Sequence, residues 1–312
     1  MRVLIQHRSR YQYPRPALLG PQVIRLRPAD HARARIESYT LAIGDSHGDE
    51  TSRPEHRVHW HRDPHNNHIA RLTFKAGEMI EALDIIVEIA VDIRPVNPFD
   101  FFVHDGCKRV PFVYPDGLDS ELAPFLDTSD PAYRLGRRVN ELLRTLPYDG
   151  DSVALLVELN AAVNRKIAYV IRNEPGVWTP EETLTNGRGS CRDLAVLLVA
   201  LLRARGIAAR FVSGYLVQLT DEGMLPDEPK GVSRDVVDLH AWAEAYIPGA
   251  GWIGLDGTSG LMCGEGHIPL AATASPATAA PLEGTSDVGA SDASFVATIE
   301  RLGHEIRPTA PY

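Results

Sequence analysis

Three residues of the chain, Cys191, His240 and Asp256, are of the types that acyl transfer through a thiol requires: a nucleophile, a proton acceptor and a carboxylate to orient that acceptor. A cysteine attacks carbonyls only as thiolate, and its pKa falls at a helix N-terminus beside an imidazolium. Cys191 follows the glycine-bearing loop Asn186-Gly187-Arg188-Gly189-Ser190 and precedes an apolar run, 194–202, that is hydrophobic on every helical face. That placement sets the sulfur among the free N–H groups of a first helical turn, which also stabilise a developing oxyanion. An inert packing cysteine is the alternative, and a glycine loop ahead of a buried helix is unusual for packing alone. Asp193 reads as a structural carboxylate capping the same turn.

The base must be distant in sequence and near in space. His240 lies mid-strand in VVDLHAWAEAYI, with Trp242 and Glu244 on its own face by period two. Asp256 ends the next strand, past the hairpin Pro248-Gly249-Ala250-Gly251, and antiparallel pairing brings such positions together. Asp238 shares the strand face of His240 but is displaced along it, so Asp256 is the preferred orienting group.

Two kinds of element must position these residues. Over 1–105, short alternating or apolar runs (2–5, 23–26, 36–43, 70–74 and 85–91) broken by turn-rich stretches such as 44–54 predict an all-β sandwich-like domain. Two prolines and an aromatic cluster in PVNPFDFFVHDG, then Pro111, Pro115 and Pro124, predict a linker over 106–130. From 131 the period becomes helical for two helices, then comes the buried helix with its stop signal at Arg203, Arg205 and Gly206. Strands follow over 207–218, 236–247 and 252–255, with an acidic exposed loop over 220–234. The region 131–270 therefore reads as an α+β catalytic core, a helix bearing the nucleophile packed on an antiparallel sheet. The stretch 271–294 is rich in Ala, Ser, Thr, Pro and Gly, so 271–312 is expected to be a loose C-terminal excursion with one last strand over 295–299.

Composition narrows the function. Against 41 Asp and Glu stand 32 Lys and Arg, a net charge of −9 and a pI near 5.7, which lacks the basic footprint of a nucleic-acid partner. No apolar run approaches a membrane span, and MRVLIQHRSRYQYPRP lacks the apolar core of a secretory signal, so the expected address is cytoplasmic, with no membrane partner. Cys107, Cys191 and Cys263 are too few and scattered for a disulfide framework or a four-cysteine zinc site, and Cys107 and Cys263 read as packing residues. His56, His59, His61, His65 and His68 cluster in sequence, and His59 and His61 share a strand face. No cysteine or carboxylate cluster completes a ligand set there, so no metal is expected. His267 reads as a loop residue.

The strings WTPEETLTNGRGSCRDLAVLLVALLRARGIAARFVSGYL and DLHAWAEAYIPGAGWIGLDGTSG resemble the core of the transglutaminase-like superfamily, whose bacterial members include provisionally named cysteine proteases. The strings YQYPRPALLGPQVIRLRP and NPFDFF look like the β-rich domain that precedes this core in one bacterial subgroup. The resemblance implies a papain-like core that uses no organic cofactor, with Cys191 as nucleophile, His240 as general base and acid, and Asp256 as orienting group. Trp178, Ser190 and Trp242 are the candidate substrate contacts. The chain departs from its relatives at Gly257, where they often carry proline. The expected activity is thiol-dependent acyl transfer on a peptide, protein or related amide, with hydrolysis favoured. Amine transfer to protein glutamine and a catalytically silent peptide-binding relative are the alternatives.

Overall fold

The computed structural model describes residues 1–44, 55–115, 117–220 and 232–303. Most of the expected turn-rich stretch after Gly44 and of the acidic loop after Thr220 lies outside them. Six strands build the N-terminal region: β1 (Arg2–Ala17), β2 (Leu19–Ile24), β3 (Arg35–Gly44), β4 (His56–Arg62), β5 (His68–Phe74) and β6 (Ile80–Asp92). In β1 the buried positions Val3, Ile5, His7 and Ser9 keep the period of two that puts one face on a core. β1 pairs antiparallel with β6 from Arg2↔Asp92 to Gln12↔Ala82, β3 joins the other side of β6, and β2, β5 and β4 form the facing sheet.

The connecting region carries β7 (Arg109–Val110), α1 (Leu118–Leu126), α2 (Arg137–Thr145), β8 (Gly150–Asp151), α3 (Ser152–Lys166), β9 (Ala168–Tyr169), α4 (Pro180–Asn186), β10 (Arg188–Gly189) and α5 (Cys191–Ala204). It leads into β11 (Ala209–Gln218), β12 (Val236–Ile247), β13 (Gly251–Asp256), β14 (Leu261–Met262) and β15 (His267–Thr273). These five form one antiparallel sheet in the order β14-β13-β12-β11-β15. Every residue of α5 from Asp193 to Arg203 is buried, as an apolar run without a polar stripe demands. The helix core takes in Ala241, Ala243 and Ala245 of β12, and His240, Trp242 and Glu244 project from the opposite face of that strand. The helix stops where expected: Gly206 adopts a φ of 73°, and the Ile207 N–H reaches back to the Leu202 carbonyl at 3.0 Å.

The C-terminal expectation needs correction. The small-residue stretch after β15 is ordered: β16 (Leu282–Ser286) pairs with β2, and β17 (Asp292–Arg301) pairs with β1 from Val3↔Arg301 to Gln12↔Asp292. Each four-stranded sheet thus gains an edge strand from the far end of the chain. Composition concealed this because edge pairing uses backbone groups and the side chains of both strands are largely exposed. The sandwich and the five-stranded sheet also share one apolar cluster, in which Ile5, Ile24, Leu72 and Ile85 pack with Tyr215, Val217, Val237, Ile268 and Leu270. Among the described residues no helix is long and apolar enough to cross a membrane.

Gly214 of β11 lies directly opposite His240 of β12. A Cβ there would collide with the Ile268 carbonyl oxygen and the Trp242 ring. Gly214→Ala is expected to destabilise the protein by about 2 kcal/mol, read as a lower urea midpoint at unchanged slope.

Candidate active site

Asp193 organises the start of α5. Its Oδ2 accepts the Ser190 N–H at 2.9 Å and the Ser190 hydroxyl at 2.8 Å, and its Oδ1 accepts the Trp178 N–H at 2.7 Å. Arg172 completes the set with guanidinium bonds of 2.9 and 3.2 Å, and its own plane lies over the Trp178 ring at 4.9 Å. Burial works to raise the Asp193 pKa, yet the Arg172 guanidinium and the three other donors hold it below the usual carboxylate range. The glycine loop serves this geometry. Gly187 ends α4 at a φ of 61°, and a side chain on Gly189 would crowd Asp193, Leu194 and Thr183. The result is a part-exposed Cys191 as the first residue of a buried helix, at the end where free N–H groups and the helix dipole favour negative charge.

The buried His240 ring comes to the same place from β12. Its Nε2 lies 3.2 Å from Asp256 Oδ1 and 3.5 Å from the Thr258 hydroxyl. Burial alone would lower the His240 pKa, but hydrogen bonds and charge from Asp256 and then Cys191 outweigh it and raise the ring to about 10. With Nε2 turned to Asp256, Nδ1 is left for the Cys191 side. Asp256, buried at the end of β13, accepts the Thr258 N–H at 2.9 Å and the Thr258 and Ser259 hydroxyls at 2.8 and 3.1 Å. Burial pushes its pKa up, while the bonds from His240 and His267 bring it well below the ordinary range. The structure therefore brings Cys191, His240 and Asp256 together. Asp238 is exposed and is not among the groups bonded to His240.

The expected substrate contacts fare differently. Ser190 is 3% exposed with its hydroxyl committed to Asp193, and Trp242 is 1% exposed among Val212, Cys263 and Ala272, stacked 6.4 Å from the His240 ring. Burial removes both side chains from any surface a substrate touches; they form the support of the site. Trp178 is half-buried on the loop clasped by Asp193. His267, expected in a loop, opens β15 beside the site. Two residues were missed from the sequence: Arg172 carries no local pattern, and Tyr169, half open to solvent, lies close enough for Cys191, Asp238 and Asp256 to add to the burial that raises its phenol pKa. Cys107 and Cys263 are buried and their thiol pKa values are raised by that burial. Gly257 abuts Val163 and Leu194, a spacing that accommodates little beyond hydrogen.

His240, Asp256 and His267 place ligand-type atoms within 4.8 Å of one another, the one such cluster among the described residues. Their proton arrangement differs from that of a metal site. A metal-bound histidine donates its second ring nitrogen to an acceptor, whereas Nδ1 of His267 accepts the Gly264 N–H at 3.3 Å, which leaves Nε2 as the protonated nitrogen. His59 and His61 stack at 6.0 Å on the exposed β4. From the cluster around Asp193, Asp193→Ala is expected to cost about 3–5 kcal/mol, because the buried Arg172 guanidinium loses its counter-charge; chemical denaturation of the variant against wild type measures it.

Residues 144–257 match the model of the transglutaminase-like superfamily core, and residues 3–92 match that of the bacterial transglutaminase-like N-terminal region. The uncharacterised protein Rv2569c of Mycobacterium tuberculosis is 26% identical over 291 residues, 91% of this chain and 87% of its own length. The uncharacterised protein ML0607 of Mycobacterium leprae is 34% identical over 122 residues, 39% of this chain and 40% of its own. A crystal structure from Cytophaga hutchinsonii, provisionally named a cysteine protease, matches with a TM-score of 0.67 at 20% identity over 97% of this chain and 92% of that one, so the two share the α+β fold. The chain therefore joins a region that matches the transglutaminase-like superfamily core to one that matches the bacterial transglutaminase-like N-terminal region.

Proposed function

We propose that the protein is a cysteine acyl-transfer enzyme acting on peptide or related amide bonds. The observation that supports this reading is the convergence of Cys191 at the head of α5, the buried His240 and the buried Asp256, whose Oδ1 lies 3.2 Å from His240 Nε2. In the first half-reaction the Cys191 thiolate adds to the amide carbonyl, and the helix-start N–H groups stabilise the oxyanion. His240, held as imidazolium by Asp256, gives its proton to the leaving amine, the C–N bond breaks and a thioester remains. In the second, His240 takes a proton from water, hydroxide adds to the thioester, and thiolate is expelled as the acid leaves. Hydrolysis is favoured because Cys191 is part-exposed and the nearby Tyr169 is half open to solvent, which gives water a path to the thioester. Amine transfer is the second reading, supported by the superfamily match of the core. Trp178 and Tyr169 are the side chains placed to meet the substrate on the acyl side.

Intact-mass labelling with limiting iodoacetamide across pH tests the proposal without a known substrate. Cys191 is expected to react selectively near neutral pH, since burial holds the other two thiols protonated. At about pH 6.5, His240→Ala and His240→Gln are each expected to slow that reaction roughly a hundredfold, the deficit of thiolate in an ordinary thiol. Equal labelling of all three cysteines, or no dependence on His240, would point to a catalytically silent protein.

The His240 pKa sets a second expectation. Its charged form is favoured in the folded state, so the stability this contributes is complete below the ordinary histidine pKa and is lost as pH rises through about 10. The alkaline limb of the labelling profile, the change in rate as His240 loses its proton and the ion pair becomes a free thiolate, should therefore lie near pH 10, and Asp256→Asn should pull it toward neutrality. An alkaline limb that Asp256→Asn leaves in place would remove Asp256 from the mechanism.

A further inference from the structure

We propose that His267 is a positioning residue, donating its Nε2–H to the second carboxylate oxygen of Asp256 and so holding that carboxylate in the orientation His240 requires. The inference rests on the catalytic reading of Cys191, His240 and Asp256.

The two oxygens of Asp256 have different partners. Oδ1 faces His240 Nε2 at 3.2 Å and also takes both Thr258 donors; Oδ2 takes the Ser259 hydroxyl at 3.1 Å and faces His267 Nε2 at 3.5 Å. Thr258 and Ser259 belong to the turn that follows Asp256 and travel with it. They cannot by themselves fix the carboxylate relative to the sheet. Two groups outside that turn face the carboxylate among the described residues: His240 on β12 at 3.2 Å and, at the start of β15, His267, whose buried Nε2 has no other partner and approaches Oδ2 to 3.5 Å. β15 lies on the far side of β11 and β12 in the sheet order, so a His267 bond ties Asp256 across the sheet.

The ring is built for donation. Its Nδ1 is occupied as an acceptor by the Gly264 N–H, which leaves the proton on Nε2, and Nε2 is buried with Asp256 as the nearest carboxylate. The ring packs edge-on to Trp242 at 5.2 Å and 84°, and Trp242 in turn stacks on His240. Two imidazoles therefore flank one carboxylate and share one buried aromatic. A donor on Oδ2 resists the rotation about the Cβ–Cγ bond that would exchange the oxygens and break the His240 contact. It also spreads the negative charge, so that Asp256 orients the His240 imidazolium without taking its proton.

The test uses the full-length protein and two readouts. The first is the pH profile of Cys191 alkylation by iodoacetamide in wild type, His267→Ala and His267→Gln, with each variant's fold checked by thermal unfolding. His267→Ala should slow the reaction near neutral pH about fivefold, the equivalent of one hydrogen bond, and draw the alkaline limb toward neutrality in the direction of Asp256→Asn. His267→Gln, whose amide N–H reaches the same oxygen, should restore both. Ala and Gln variants that match wild type, or that slow equally with the limb unmoved, would reduce His267 to packing. The second readout is the nitrogen-15 spectrum of the histidine rings, in which His267 should be the Nε2-protonated tautomer; a proton on Nδ1 overturns the proposal whatever the alkylation rates. Wild type lacking any His240-dependent labelling would instead defeat the catalytic reading itself, an outcome separate from the other two.

Discussion

A helix enclosed on every side still begins with N–H groups that no preceding carbonyl can satisfy, and leaving them buried and unpaired would cost several times the worth of an ordinary hydrogen bond. In α5 the Asp193 carboxylate meets part of that requirement: it satisfies the N–H of the N-cap Ser190 and that of Trp178 in the preceding loop, is itself neutralised by Arg172, and leaves the first-turn N–H groups beside Cys191 open. Once the carboxylate is so placed, the entry to the helix is fixed, the preceding loop is pinned, and a part-exposed Cys191 is left as the first helical residue. Core formation and presentation of the thiol are consequences of the same clasp. The apolar body of the helix supplies the anchoring, and the polar start supplies the chemistry.

The strand side of the site follows from period two. On β12 the alanines at 241, 243 and 245 let the helix side approach closely, while His240, Trp242 and Glu244 face the other way. Behind His240, Trp242 donates Nε1 to Glu244 at 3.4 Å, and Glu244 is paired with Arg210 at 2.7 Å. Burial opposes ionisation of Glu244, but the charge of Arg210 and then of His31 keeps its carboxyl below the ordinary range. His31 belongs to the N-terminal half of the chain, so the wall of polar and aromatic groups behind the histidine is completed by the sandwich. Together with the apolar cluster the two halves share, this gives the β-rich region a structural part in the site.

Much of the architecture was readable locally. The all-apolar run of α5, its glycine-bearing approach, the Asp193 cap, the Gly206 stop and the β12–β13 hairpin each have a signature confined to a few neighbouring positions. The readings that failed involved burial by distant segments. Ser190 and Trp242 have the chemistry of substrate contacts, and what encloses them is Asp193 for one and Val212, Cys263 and Ala272 for the other.

The sequence by itself therefore determined the elements and the residue types at their ends, because helix caps, turn glycines and alternating strands are set by interactions between residues a few positions apart. Tertiary structure alone decided that β16 and β17 close the two N-terminal sheets, that Arg172 answers Asp193 and that His267 faces the second carboxylate oxygen of Asp256. Those choices depend on backbone edges and side chains meeting across the fold, and a contact made between distant segments leaves no periodicity in either of them.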